Sequence, residues 1–125
     1  MRSLSIATIC LGLFWWAASS VAGERASASV QCQPTDQHLV YVCDIRLVGR
    51  KSKKPLAGAE LTVKADMPSM PMAHNVRPAN ATPTADAGVY TVELELEMHG
   101  EWALTLDVSG PTRDRVIRKL EFLPK

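Results

Sequence analysis

The sequence predicts an all-β protein, an immunoglobulin-like antiparallel β-sandwich that follows an N-terminal signal peptide. Three observations carry this. Outside the first residues no stretch shows helical periodicity. Apolar and polar residues alternate strictly through "VYTVELELEM" and "EWALTLDVS", the period of a half-buried strand. Six or seven short runs of this kind are separated by turn-forming residues, the spacing of a sandwich.

The elements follow in chain order. Met1-Arg2 gives a positive start and "LSIATICLGLFWWAA" (4–18) an almost wholly apolar run. "SSVAG" then supplies the small residues a signal peptidase reads, which places cleavage after Ala22 and divides the chain into a signal peptide (1–22) and one domain (23–125). The run is shorter than the roughly 20 residues that cross a bilayer as a helix. An uncleaved anchor with Phe14-Trp15-Trp16 at the interface is the alternative. Cys10 lies inside the run without a convincing lipobox. The expected product is periplasmic or secreted, with no membrane span in its mature form.

Cleavage takes Lys+Arg from 14 to 13 by losing Arg2 and leaves Asp+Glu at 13, so the exported domain is near neutral. That balance argues against nucleic acid or an anionic membrane as partner. Two of the 3 cysteines remain, Cys32 and Cys43. In an oxidising compartment this pair reads as a disulfide rather than a thiolate metal site.

"SVQCQ" is a short strand that turns through Pro34-Thr35-Asp36 into "HLVYVCDIRLV" (38–48), a buried strand. Folding 28–33 back on 38–48 brings Cys32 near Cys43. "GRKSKKP" is a basic loop tip. "AELTVKA" (59–65) directs Ala59, Leu61, Val63 and Ala65 to one face. "RPANATPTADAG" (77–88) is a turn-rich crossing that ends in a tight turn at Asp86-Ala87-Gly88, and its Asn80-Ala81-Thr82 matches a glycosylation triplet. Residues 89–98 and 101–109 are read as the two arms of a hairpin closed at His99-Gly100. "GPTRD" turns the chain into a last strand over 116–122. Glu93, Glu95 and Glu97 form the solvated face of their strand, which discourages edge pairing.

Apart from Met1, the methionines are Met67, Met70, Met72 and Met98, in "MPSMPMAH" and "EMHG" beside His74 and His99. With strands alternating up and down, both segments emerge at one end. A thioether is a soft, neutral ligand that suits copper(I) and serves hard cations poorly. It also stays usable where free thiols are oxidised. Pro68 and Pro71 keep the loop from becoming helical. The candidate metal ligands are therefore Met67, Met70, Met72, His74, Met98 and His99. Trp102 could cover the ion through its ring face. His74 and His99 could alternatively take copper(II) without sulfur. Packing competes with both, because methionine fills irregular gaps and Met98 continues the inward face of its strand. His38 is read as solvated. No nucleophile sits beside a base and no phosphate-binding loop occurs, so an enzyme is not expected.

The stretches "PLAGAELTVKADMPSMPMAH" and "AGVYTVELELEMHGEWALTLDV" resemble the YtkA-like family and the related FixH-like domain. Pro55 and Gly58-Ala59 precede a strand, and the Met-Pro-x-Met-x-Met-x-His box falls on Met67, Pro68, Met70, Met72 and His74. Gly88-Val89-Tyr90 opens the next strand, and Met98, Gly100 and Trp102 follow. The likeness covers about residues 38–110. It implies a small exported or membrane-anchored β-sandwich associated with heavy-metal efflux or with copper loading of a terminal oxidase. The segment at 1–22 reads as cleavable, whereas FixH-like proteins keep a membrane helix, so the YtkA-like label fits better. The function expected is binding or transfer of copper(I). The alternative is a metal-free module that docks onto a membrane transport or oxidase complex.

Overall fold

A computed structural model describes residues 23–72 and 76–124. The strands are β1 (Ala26–Pro34), β2 (Val40–Gly49), β3 (Glu60–Asp66), β4 (Ala79–Asn80), β5 (Thr82–Pro83), β6 (Val89–Glu95), β7 (Gly100–Ser109) and β8 (Asp114–Phe122). They form two antiparallel sheets, ordered β1-β2-β6-β5 and β4-β3-β7-β8. This is the A-B-E-D against C′-C-F-G arrangement of an immunoglobulin-like sandwich. The expected signal peptide, residues 1–22, lies outside the described residues. Among the described residues no helix is long and apolar enough to cross a membrane.

Alternating side chains from the two sheets meet in one core. Cys43, Ile45 and Leu47 of β2 and Tyr90, Val92 and Leu94 of β6 face Val63 of β3 and Trp102, Leu104 and Leu106 of β7. Their neighbours along each strand point to solvent, so the period of two read from the sequence is the period of burial.

The connection after β6 differs from the expected hairpin. β6 pairs with β2 and β5, whereas β7 pairs with β3 and β8. The chain leaves one sheet after Glu95 and enters the other at Gly100. It is an arch across the sandwich. The two connections share one sequence signature, because both join alternating runs of matching phase. In a hairpin the two apolar faces would lie side by side; here they face one another through the core. Met98 correspondingly leaves the inward face that alternation assigned to it, since the strand ends at Glu95 and the last inward residue is Leu96.

The crossing at 77–88 holds two more short strands. β4 pairs with β3 through Ala79↔Val63, and β5 pairs with β6 through Thr82↔Thr91. The chain changes sheets at Ala81, whose N–H donates to the Leu61 carbonyl at 2.9 Å.

β1 and β8 are edge strands of opposite sheets on the same flank, and side chains tie them together. The Arg118 Nε–H donates to the Ala28 carbonyl at 2.7 Å, and the Ala26 N–H donates to Asp114 Oδ2 at 2.9 Å. Thr112 Oγ1 donates to the Glu24 carbonyl at 2.8 Å. Edge-strand polar groups that would otherwise offer themselves to another chain are thereby occupied.

Candidate functional site

One end of the sandwich gathers the segments singled out by their chemistry. β1 ends and β2 begins there, as do the loop after β3, the arch after β6 and the C-terminal Leu123. The other end carries the basic loop after β2 and the Asp86–Gly88 turn.

Two turns of the first sheet share a construction that was not evident in the sequence reading. In "PTDQHLV" (34–40) the Thr35 N–H and Oγ1 both donate to the Val40 carbonyl, at 3.0 and 2.9 Å, and the Gln37 N–H donates back to Thr35 Oγ1. In "PTADAGV" (83–89) Thr84 makes the same two bonds to Val89, and the Asp86 N–H returns to Thr84 Oγ1. Each turn closes with a bond across four residues, Val40 N–H to Gln37 and Val89 N–H to Asp86. The third position of that turn needs positive φ. Gly88 supplies it at 76° without penalty, but in the first turn the residue is Leu39 at 59°. A side chain in this region is strained by about 1–2 kcal/mol. The Leu39 carbonyl then accepts the Leu96 N–H at 2.9 Å, which binds the first turn to the arch.

The arch has a second anchor. Trp102 is fully buried, and its Nε1–H donates to the Met98 carbonyl at 3.0 Å. Its indole is thus part of the core and a support for the arch. Between these anchors the His99 ring meets the His38 ring, edge to face, with centroids 5.8 Å apart. His38 is exposed, as the sequence predicts, and still meets the His99 ring. Only the turn at Leu39 and the arch bring it to His99, and neither signal is local.

The methionines divide. Met67 is 5% exposed and belongs to the core, with Cε so placed that a Cβ on Gly100 would lie 2.8 Å from it. Its position closes the end of the sandwich against the start of β7. The Met70 N–H donates to the Met67 carbonyl at 3.1 Å, making a tight turn of the loop. Beyond it the side chains face outward: Met70 is 38% exposed, Met72 95% and, on the arch, Met98 39%. His74 lies outside the described residues. Among the described residues no three His, Cys, Asp or Glu side chains gather as a metal-holding group. What this end presents among the described residues is of another kind. Its distinctive donors are thioethers and the two imidazoles.

Just below the turn that joins β1 to β2, Cys32 and Cys43 are directly opposed in the register and form a disulfide, with Cα atoms 4.0 Å apart. It lies within one sheet, on the inner face, instead of bridging the two sheets as in antibody domains.

The fold and this end together define a small, disulfide-tied β-sandwich of immunoglobulin topology with a methionine- and histidine-bearing tip. A family model described as YtkA-like matches residues 30–107. The chain belongs to the YtkA-like family. No curated protein and no solved structure matches it.

Proposed function

We propose that this protein is an exported domain that binds copper(I) as cargo and hands it on, acting by binding rather than by catalysis. The observation that carries the reading is the split among the methionines. One thioether is used up in packing, while Met70, Met72 and Met98 stay exposed at the same end as His99. Three neutral sulfurs and an imidazole match a soft monovalent cation of low coordination number. Met70, Met72 and Met98 would hold the ion with His74 or His99, and Met67 would position the loop. The disulfide is consistent with an oxidising compartment, periplasmic or secreted, where thioethers outlast thiols as soft ligands. Heavy-metal efflux or oxidase-assembly components are the partners this reading implies.

The exposed thioethers and Leu123, 64% exposed near the same end, also favour a second reading, in which the tip docks onto a membrane complex without metal. A copper(I) titration with ascorbate as reductant and bathocuproine disulfonate as competitor separates the two. One equivalent bound in competition, and lost in Met70→Ala/Met72→Ala, supports cargo binding. A wild-type protein that never competes with the chelator leaves the docking module.

A further inference from the structure

We infer that His38 and His99 together form a second metal site at this end, one that takes a borderline divalent cation, copper(II) foremost, through two imidazoles. It does not rest on the thioether reading, because His38 has no part in that site and no sulfur is needed here.

The geometry is the first argument. A metal–nitrogen bond of about 2.1 Å plus about 1.1 Å to the ring centre puts each centroid about 3.2 Å from a shared ion. The observed separation of 5.8 Å falls within the span of about 6.4 Å that two such rings can reach across one ion. The rings meet edge to face, so one of them must turn to aim a nitrogen at the shared point, and His38, exposed at the tip, has the room to do so.

Preorganisation is the second. His38 and His99 come from distant segments, and each backbone is held beside its ring. The Leu96 N–H to Leu39 carbonyl bond joins the two segments directly, and the Trp102 indole fixes the residue before His99. The first turn accepts a left-handed Leu39 where its twin at the other end uses glycine. The pair is thus presented by a rigid frame, which lowers the ordering cost of a chelate.

Access is the third. The rings line a cleft of about 300 Å³ that is also bordered by Asp36, Tyr41 and Leu123. The cleft leaves room for the water or exogenous ligand that completes the coordination of a two-imidazole site. Imidazole nitrogen is a good ligand for copper(II), the tightest binder of the divalent series. The same tip would then offer nitrogen to the oxidised ion and sulfur to the reduced one.

The test is titration of the purified protein with copper(II), followed by competition affinity and by electron paramagnetic resonance. We expect one equivalent with coupling to two imidazole nitrogens, and an affinity at least tenfold lower in both His38→Ala and His99→Ala. His74→Ala should retain wild-type binding. Wild-type copper(II) affinity in His38→Ala would overturn the inference, as would a site that depends on His74 and His99 alone. Copper(I) affinity of His38→Ala, measured in parallel, should stay at the wild-type value. That keeps failure of this site distinct from failure of the thioether site.

Discussion

The hydroxyl of Tyr90 donates to the Leu56 carbonyl at 2.7 Å, spanning from the inner face of β6 to the loop that leads into β3. The same oxygen accepts the Ala59 N–H at 3.0 Å. Tyr90 is buried, so one side chain ties the two sheets together at the end remote from the methionines. Removing the hydroxyl leaves a donor and an acceptor without their partner in a half-buried loop. Tyr90→Phe should therefore cost about 1–2 kcal/mol. Urea unfolding should show a lower midpoint with an unchanged slope, and metal binding at the far end should be unaltered.

The disulfide joins residues separated by 11 positions in sequence. Closing so short a loop in the unfolded chain is worth about 2–3 kcal/mol in the chain-entropy account. A Cys32→Ala/Cys43→Ala variant should melt about 10–20 °C below the oxidised protein. The comparison should be made by thermal scans without reductant. If the variant and the wild type melt together, residual β1–β2 structure in the unfolded state has taken the place of the crosslink.

Acid should weaken the flank where β1 meets β8. The Asp114 side chain is 11% exposed. Burial works to raise its pKa, but the N–H groups of Ala26 and Arg115 and the Arg25 guanidinium outweigh it and hold the carboxyl below its ordinary value. A group depressed in the folded state adds stability above its unfolded pKa, about 3.9 for aspartate. That stability is lost as pH falls through the lower folded value. Asp107, held down by Arg115 and then Lys64, acts in the same direction. Asp114→Asn should thus be less stable at neutral pH and lose less on acidification. Unfolding free energies measured from about pH 6 down to pH 2 would show the two curves converging.

Which features were legible in the sequence follows from how local their causes are. Alternation marked β3, β6 and β7 because burial on one face is a property of each strand alone, and β2 was legible from its own run of β-branched and aromatic residues. The Cys32–Cys43 pairing was legible because the two strands are joined by a short turn. The arch between Glu95 and Gly100 was not, since an alternating pattern records which face is buried and not which sheet carries it. The partner of a strand is a global property. His38 is exposed as expected, but its contact with His99 was not legible for the same reason: the two lie sixty-one positions apart (99 − 38) and meet only because the chain changes sheets. The strand directions placed the methionines at one end, but Met67 could not be told from Met72 without knowing where β3 ends.

That distinction gives the sharpest test of the tip. Met67 is packed in the core, and Gly100 opposite it has φ 136°. Truncating a buried methionine leaves a cavity, so Met67→Ala should destabilise the fold by about 2–4 kcal/mol. Gly100→Ala should also destabilise it, through a φ that an L side chain resists and a Cβ that crowds Met67 Cε. Met72, almost wholly solvated, should tolerate alanine within about 0.5 kcal/mol. If the thioethers are ligands, copper(I) affinity responds in the opposite order at equal folded fraction: Met70→Ala and Met72→Ala weaken it while stability holds. Chemical unfolding and chelator competition on the three methionine variants measure both quantities. A Met72→Ala protein that keeps both its stability and its copper(I) affinity would assign the exposed thioethers to a partner surface instead.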